Sequence, residues 1–317
     1  MQDTIPCRKA FTQTLLEQAK KDKSIMVVTT DARGSVTLND FAAELPEQFI
    51  ELGIAEQNAI GVGAGLTTTG FKPFVCGPAC FLSSRSVEQI KLDVAYSHNN
   101  VKIIGVSGGV SYGALGSSHH SLHDIAVMRA FPDLSVILPC DIHQTRKMTE
   151  ALCNHPGPVY VRMGRTAVPN VYNNGNIPFQ IGQANILNDG SDITLIGTGE
   201  TVNIIIDAGK LLKKDNIHAR VIDMHTIKPM DEKAVLNAAK QTGTIISVEE
   251  HSVLGGLGSA ISEILIQNHP VPLKIMGIPD EYAVHGKSNE IFEYYGLTSD
   301  NIAKEAKKLL DIKKFKI

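Results

Sequence analysis

The sequence predicts an α/β protein with two consecutive domains, the first built on a mostly parallel sheet and the second a smaller α/β unit. Short apolar stretches rich in β-branched residues alternate with longer stretches of helical periodicity. This alternation is typical of parallel sheets that are covered by helices on both faces. A turn-rich stretch at 164–182 interrupts the pattern before it resumes. We therefore predict one domain at 1–178 and a second at 179–317.

The first domain is expected to contain four buried strands, because short apolar runs such as SIMVVTT are bounded by polar or turn residues. These predicted strands cover 24–30, 100–107, 135–140 and 158–163. The segments around and between them repeat apolar residues with a helical period. The predicted helices cover 9–21, 56–69, 86–96 and 143–153.

The second domain follows the sequence GRTAVPNVYNNGNIPFQIG at 164–182, which is rich in Asn, Gly and Pro. These residue types favour turns, so we interpret the stretch as an interdomain linker. The strand–helix alternation then resumes and ends with a predicted helix at 301–314. The four further predicted strands cover 192–199, 219–226, 243–250 and 271–278.

Composition excludes several classes of protein. The 317 residues are 43% apolar and 20% charged, with a net charge of −3, close to the average for soluble proteins. This balance gives no indication of a nucleic-acid or membrane-surface partner. The chain has no apolar run at its start and no apolar stretch long enough to span a membrane, so we expect a cytoplasmic protein.

The cysteines and clustered histidines do not predict a metal site. Five cysteines are present, and they form no C-x-x-C pair. Cys76 and Cys80 lack a second His or Cys pair at zinc-ligand spacing, so we expect buried free thiols. His119, His120 and His123 are also too closely spaced, without a nearby cysteine, to indicate zinc.

The most informative segment is ELGIAEQNAIGVGAGLTTTGFKP at 51–73. Glu56 precedes a predicted helix with many small residues, which allow another backbone to approach closely. A carboxylate in this position is either a favourable charge at a helix N-terminus or a functional acid. For this glutamate alone, the interpretation as a charge at a helix N-terminus is favoured.

The motif GIAEQNA at 53–59 resembles the signature of a thiamine-diphosphate superfamily. This superfamily includes transketolase, 1-deoxyxylulose 5-phosphate synthase and the β subunits of 2-oxo acid dehydrogenases. The resemblance implies that Glu56 is catalytic and binds the cofactor by a hydrogen bond to N1′ of its aminopyrimidine. That bond favours the imino form of the 4′-amino group, which then removes the C2 proton of the thiazolium. A carboxyl able to share a proton suits this role.

The resemblance continues in CFLSSRSVEQIKLDVAY at 80–96, which is similar to the family segment that stacks on the pyrimidine. Phe81 falls at the aromatic position and Arg85 is predicted to bind the cofactor with it. Val87 replaces a second aromatic residue of many members. Without the resemblance, a single phenylalanine is more often a core residue.

GGVSYGALGSSHHSLHD at 108–124 resembles the family's substrate loop. His119 matches a histidine that contacts sugar hydroxyls in transketolases, and we predict catalytic roles for His119 and His120, with Tyr112 binding substrate. Transketolases usually have a histidine and an aspartate that contact hydroxyls of the donor sugar. The corresponding positions are Ser107 and Leu115 here. These departures indicate an unusual ketose donor or acceptor, or a different geometry built around Tyr112, His119 and His120.

A phosphate site is predicted from two further segments. TDARGSV at 30–36 resembles the family loop with a phosphate-binding serine, which matches Ser35, and Arg33 lies beside it. VRMGR at 161–165 places Arg162 and Arg165 near a family arginine that binds phosphate. Arginine suits bidentate phosphate recognition, although the alternative is a solvated loop charge.

The second domain is similar to the transketolase C-terminal domain, through VEEHSVLGGLGSAISEIL at 248–265, and we predict no catalytic role for this stretch. Family members hold the cofactor diphosphate and Mg²⁺ with a Gly-Asp-Gly followed by an asparagine, and no Gly-Asp-Gly occurs in this sequence. The resemblance therefore implies a partner subunit with that motif, assembled as a heterotetramer that shares thiamine diphosphate and Mg²⁺.

Three functions remain open at this point. The leading hypothesis is ketol transfer, in which a two-carbon unit passes from a ketose or ketose phosphate to an aldose. A decarboxylating relative, either deoxyxylulose phosphate synthase-like or a 2-oxo acid dehydrogenase β subunit, would consume pyruvate or another 2-oxo acid and release CO₂. A non-catalytic assembly subunit is the third possibility, because the departures at Ser107 and Leu115 could reflect lost activity.

Overall fold

The computed structural model describes residues 5–172 and 177–314, with side chains described up to residue 311. It confirms the predicted α/β fold class, with two mostly parallel sheets that follow one another along the chain. We call the parts of the chain before and after the irregular stretch at 164–184 the first and second domains. Residues 173–176 of the predicted linker lie outside the described residues.

Strands and helices alternate through the first domain. The strands are β1 Ile25–Thr29, β2 Phe49–Glu51, β3 Lys72–Pro78, β4 Lys102–Val106, β5 Ser135–Ile137 and β6 Val159–Met163. The α-helices are α1 Cys7–Ala19, α2 Arg33–Val36, α3 Asn39–Glu44, α4 Glu56–Thr68, α5 Ala79–Arg85, α6 Val87–Gln89, α7 Asp124–Ala130 and α8 Ile142–Leu152. Two 3₁₀-helices cover Pro46–Gln48 and Gly113–Ser118, and a π-helix covers Ile90–Tyr96.

The same alternation continues in the second domain. Its strands are β7 Asn185–Asn188, β8 Ile193–Gly197, β9 Ala219–Asp223, β10 Thr226–Lys228, β11 Ile245–Ser252 and β12 Leu273–Ile278. Its helices are α9 Thr201–Lys214, α10 Glu232–Thr242, α11 Leu257–Asn268, α12 Ser288–Tyr294 and α13 Ser299–Lys314.

The two sheets have seven and five strands. The strand order is β10-β5-β6-β4-β3-β1-β2 in the first sheet and β12-β11-β8-β9-β7 in the second. Only edge strands run antiparallel among the described pairs, namely β10 against β5 and β7 against β9. Every residue of β1, β4 and β6 is buried, as expected for central strands covered on both faces.

All eight predicted strands are present, but four others were missed. β3 was overlooked because Pro73, Gly77 and Pro78 make its sequence look unlike a strand. β2 and β10 have three residues each, and β7 is only partly buried, so none has a strong apolar pattern. The helix predicted at 86–96 begins earlier, in α5, and continues through α6 into the π-helix.

The two domains share structure across their boundary. Strand β10 of the second domain joins the first sheet, where Thr226 pairs with Ile137 of β5. The backbone N–H of Leu138 donates to the carbonyl of His225 at 2.8 Å. Ile227 of β10 lies in the same apolar cluster as residues of both domains. The second domain is therefore an integral support of the first sheet.

The cysteines are free and buried, as predicted. Burial raises the pKa of the Cys7 thiol to about 12 and that of Cys153 to about 11. These thiols are therefore protonated and packed as small apolar side chains. Within residues 5–172 and 177–314, no helix is long and apolar enough to cross a membrane.

The beginning of the linker is fixed by buried hydrogen bonds to both domains. Asp141 Oδ2 accepts from the backbone N–H groups of Val171 and Tyr172 at 2.9 and 2.8 Å. The Tyr172 hydroxyl donates to Asp223 Oδ2 at 2.6 Å, and Gln144 Nε2 donates to the same oxygen at 2.6 Å. Because Asp223 is fully buried, these donors offset much of the cost of removing its carboxyl from water.

We expect Tyr172→Phe to lower the free energy of unfolding by about 1–3 kcal/mol, because the buried Asp223 carboxyl loses one of its donors. The measurement is urea denaturation at fixed protein concentration. Tyr282→Phe is the matched control, since Tyr282 is 84% exposed and its hydroxyl has no comparable role. Equal stability of the two variants would show that the hydroxyl of Tyr172 does not fix the linker.

Candidate active site

Glu56 lies where the chain turns from β2 into α4, at the edge of the sheet where parallel strands end. Glu51 Oε1 accepts from the backbone N–H groups of Asp31 and Gly53 at 2.7 and 3.2 Å, which fixes the turn before the helix. Glu56 is the first residue of α4 and is only 4% exposed. A Cβ added at Gly63 would lie 2.7 Å from Val75 Cγ2, so the small residues of α4 allow the helix to pack closely on β3.

Arg85 and Phe81 meet Glu56 in one cluster. Arg85 Nη1 donates to both carboxylate oxygens of Glu56, at 2.9 and 3.0 Å. The guanidinium carbon of Arg85 also lies 4.2 Å from the centre of the Phe81 ring, which is a cation–π geometry. The side chain of Arg85 is 47% exposed, whereas that of Glu56 is 5% exposed. The buried carboxylate of Glu56 and the face of the Phe81 ring thus both lie beside the partly exposed guanidinium of Arg85.

The substrate-loop histidine lies against the same aromatic ring. The centre of the His119 ring is 5.3 Å from that of Phe81 and 5.2 Å from that of Tyr112, in edge-to-face arrangements with both. His119 Nδ1 is 3.0 Å from Ser118 Oγ, which leaves Nε2 available to a ligand. The structure therefore connects Glu56 to Phe81 through Arg85, and Phe81 to Tyr112 through His119.

His120 has a different environment from His119. It is 7% exposed, and its Nε2 is 3.0 Å from the carbonyl oxygen of Gly113. Since a carbonyl only accepts, Nε2 carries the proton. Burial lowers the pKa of His120, so the ring is held in its neutral form. The position indicates that His120 supports the loop rather than meeting a substrate directly.

Two arginines lie close together near Tyr112. Arg8 Nη1 donates to the backbone carbonyl of Ser35, and Arg165 Nη1 lies 3.4 Å from Ser107 Oγ. The guanidinium of Arg165 is 5.1 Å from the centre of the Tyr112 ring. Burial and the neighbouring charge of Arg165 lower the pKa of Arg8. Neither arginine forms an ion pair with a carboxylate of the described residues, so the pair suits an anionic ligand.

The sequence analysis did not identify Arg8. One signal was present, because Arg8 is the second residue of α1, and a cation in the first turn of a helix is unfavourable with respect to the helix dipole. Ser35, which was predicted to bind phosphate, lies beside Arg8. Arg33 is exposed on α2, and no described contact joins it to Arg8 or Arg165.

Arg162 is placed far from solvent, at the boundary between the domains. It is 4% exposed; Nη2 donates to the Glu250 backbone carbonyl at 2.6 Å and lies 3.3 Å from Glu250 Oε2. Its Nε lies 3.7 Å from Asp124 Oδ2, which also accepts from the Tyr160 hydroxyl at 2.7 Å. The predicted phosphate role of Arg162 is not supported by this position, because its guanidinium is already enclosed by carboxylates.

Comparison with known proteins identifies the family. The family model described as transketolase, pyrimidine binding domain, matches residues 3–170, and that of the transketolase C-terminal domain matches residues 182–302. This chain belongs to the transketolase family. The family depends on thiamine diphosphate, and the resemblance that was drawn from GIAEQNA is confirmed.

Several relatives are similar over nearly the whole chain. An apulose-4-phosphate transketolase subunit of Phocaeicola vulgatus is 60% identical over 302 residues, which cover 95% of this chain and 96% of the relative. A 6-deoxy-6-sulfo-D-fructose transketolase subunit of a Clostridium species is 36% identical over 309 residues, covering 98% and 96%. By contrast, the match to 1-deoxy-D-xylulose-5-phosphate synthase of Heliobacterium modesticaldum, at 35% identity, covers 96% of this chain but only 47% of that enzyme.

A solved structure shows the same fold. The structure titled split gene transketolase, inactive beta4 tetramer, is 37% identical to this chain with a TM-score of 0.89. The match covers 97% of this chain and 99% of that one. The similarity therefore includes both domains in their relative arrangement.

The residues of this transketolase-family chain fit one end of thiamine diphosphate. The buried carboxyl group of Glu56 and the ring of Phe81, which both contact Arg85, offer a group that can share a proton and a stacking face, as an aminopyrimidine needs. In the described part of the chain, no group of three or more His, Cys, Asp or Glu side chains is placed to hold a metal ion. The groups around Glu56 therefore suit the pyrimidine end of the cofactor.

The carboxylates around Arg162 make stability depend on pH. Glu200 is half-buried with Oε1 fully enclosed, and burial followed by the charge of Glu250 raises its pKa above the ordinary 4.5. Burial also raises the pKa of Glu250, although Arg162 opposes this shift. Because the folded state binds these protons more tightly than the unfolded state, the stabilisation is complete below pH 4.5 and is lost as pH rises through the higher folded pKa.

The ionisation of Glu200 should therefore lower the stability of the wild type between about pH 5 and about pH 9, whereas the lowered pKa values of the buried His225, His251 and Lys102 act in the opposite direction. Relative to Glu200→Gln, which cannot ionise, the wild type should lose about 1–3 kcal/mol more free energy of unfolding over this range. Urea denaturation at several pH values measures both slopes, with the exposed Glu47→Gln as the control. An unchanged slope in Glu200→Gln would show that Glu200 does not retain its proton in the folded protein.

Proposed function

We propose that this chain is the pyrimidine-binding subunit of a split transketolase that transfers a two-carbon ketol unit from a ketose phosphate to an aldose. The observation that supports this most strongly is the continuous arrangement of Glu56, Phe81, His119 and Tyr112, with Arg8 and Arg165 beyond them. Along this arrangement, Glu56 and Phe81 suit the cofactor, His119 and Tyr112 suit sugar hydroxyls, and the two arginines suit an anion.

At the cofactor end, Glu56 and Phe81 bind and orient the aminopyrimidine. Bound thiamine diphosphate would supply the nucleophilic carbon that attacks the ketose carbonyl and carries the two-carbon unit. Glu56 holds a proton in a hydrogen bond to N1′ of the pyrimidine, while Phe81 supports the ring. Arg85 neutralises the Glu56 carboxylate in this structure and therefore has to share or release it when the pyrimidine binds.

At the substrate end, His119 exchanges protons with sugar hydroxyls through Nε2, because Nδ1 faces Ser118. Tyr112 forms the adjacent wall. Arg8 and Arg165 hold the substrate phosphate, with Ser35 and Arg33 on the same side of the first domain. His120 keeps the loop in shape and Arg162 joins the domains, so neither is assigned to the substrate.

The proposed assembly is a heterotetramer with a partner subunit that carries the Gly-Asp-Gly motif and anchors Mg²⁺ and the diphosphate. The solved relative supports this requirement, since a split-gene transketolase is described there as an inactive tetramer of β subunits. The first ketose donor to test is apulose-4-phosphate, because the 60% identical relative is named for it. A deoxyxylulose phosphate synthase-like activity is a distant alternative that pyruvate consumption with CO₂ release would reveal.

We expect thiamine diphosphate with Mg²⁺ to bind the chain mixed with its partner and to bind the chain alone much more weakly. Calorimetric titration of the lone chain and of the mixture measures this difference. In the complex, Glu56→Gln should lower kcat by about 100-fold or more, because general acid–base catalysis contributes at least this much. Its far-UV circular dichroism should match the wild type.

Three outcomes would contradict the proposal. Tight cofactor binding by the lone chain would remove the need for a partner that holds the diphosphate. Full activity of Glu56→Gln in a complex that does transfer the ketol unit would remove Glu56 from the site. A complex that binds the cofactor but converts neither ketose phosphates nor pyruvate would favour the non-catalytic assembly subunit.

We further expect Arg8→Gln to raise the KM for a phosphorylated donor by about 10- to 100-fold, since a charge-assisted hydrogen bond contributes about 1.5–3 kcal/mol. The KM for the matching unphosphorylated ketose should change little. Steady-state kinetics of the reconstituted complex provide both values. Arg146→Gln, at an exposed position on α8, is the control. Equal effects on both donors would show that Arg8 does not recognise the phosphate.

A further inference from the structure

The second domain contacts the loop that carries His119. Gly116 in this loop adopts φ 68° and ψ −159°, a conformation open essentially to glycine alone. The imidazole of His285, from the second domain, lies directly against it, and a Cβ at Gly116 would overlap three atoms of that ring. Glycine is therefore required at residue 116 both by its backbone angles and by the ring that packs on it.

The contact extends beyond one ring. A Cβ added at Gly113 would lie 2.7 Å from the carbonyl oxygen of Gly286, and Ser288 Oγ donates to the carbonyl of Val110 at 3.2 Å. The segment at 285–288 thus follows the loop along its length. This segment is itself fixed, because the backbone N–H of Lys287 donates to Glu290 Oε2 at 2.9 Å where α12 begins.

The loop is also held by His120. The rings of His120 and His285 are nearly perpendicular, with centres 6.5 Å apart, and His120 Nε2 donates to the Gly113 carbonyl. The carbonyl of Gly116 accepts from the backbone N–H groups of both His119 and His120, at 2.9 and 3.0 Å. Any displacement of Gly116 is therefore passed directly to the backbone of His119.

We propose that His285 is a positioning residue for the substrate-binding histidine His119, so that the second domain sets the geometry of a site that lies in the first. The inference rests on the proposed function in one respect, namely that His119 contacts the substrate. His285 acts through the packing of its planar ring on Gly116, and its nitrogens have no part in the reaction.

The kinetic test compares His285→Ala with His285→Phe in the reconstituted complex. Loss of the ring in His285→Ala should lower kcat by about 10- to 100-fold, because small misplacements of a catalytic group have effects of this size. The affinity for thiamine diphosphate and the midpoint of thermal unfolding should stay close to the wild type. His285→Phe keeps a planar ring and should retain at least about half of the activity, a range far from the loss in His285→Ala. His269→Ala, at an exposed position after α11, is the control.

Hydrogen exchange gives a second measurement that does not depend on turnover. In the complex, peptides covering 110–120 should exchange about tenfold faster in His285→Ala than in the wild type, with His285→Phe and His269→Ala unchanged. Unchanged exchange in His285→Ala would overturn the proposal, whatever its activity. Equal loss of activity in His285→Phe and His285→Ala would also overturn it, since the nitrogens would then be essential. Faster exchange in a complex that transfers no ketol unit would support the packing role of His285 while contradicting the proposed function.

Discussion

The buried ion pairs of Arg162 connect most of the parts on which the site depends. Arg162 leaves the end of β6 and meets Glu250 of β11 and Asp124 at the start of α7. Glu250 Oε1 in turn accepts from the backbone N–H of Val110 at 2.8 Å. Val110 belongs to the loop at 108–124 that carries His119, which we call the histidine loop. Removing either partner would leave a buried charge without compensation, so this arrangement strongly constrains how the two domains meet.

Among the described residues, the second domain has no group in the proposed cofactor site, yet it contacts the loop that carries His119 beside that site. Strand β10 extends the first sheet beyond β5, and the segment at 285–288 follows the histidine loop. The loop contains glycines in conformations that other residues rarely adopt, and such a loop needs external contacts to keep one shape. This dependence gives a physical reason for both domains to occur on one chain.

The site also shows how one scaffold can change its substrate while keeping its cofactor chemistry. Glu56, Phe81 and Arg85 are fixed by α4, α5 and the turn after β2, all within the first domain. Ser107, in contrast, lies just before the loop that carries His119, and Leu115 lies within that loop. Ser107 is fully buried beside Arg165, whereas Leu115 is 54% exposed. Because both positions lie outside the cluster of Glu56, Phe81 and Arg85, they can vary without disturbing it, and the relatives are named for different ketoses.

Strand and helix alternation along the chain was enough to predict the fold class, since buried parallel strands are apolar runs that need no distant partner to be recognised. The motif around Glu56 was readable for a similar reason, because its residues are contiguous. The contacts that the sequence did not predict join residues that are far apart along the chain. The enclosure of Arg162 by Glu250, the approach of Arg8 to Arg165 and the packing of His285 on Gly116 join residues 88 to 169 positions apart. Only tertiary folding brings such groups together, and the charge and burial that decide their roles exist only after it has done so.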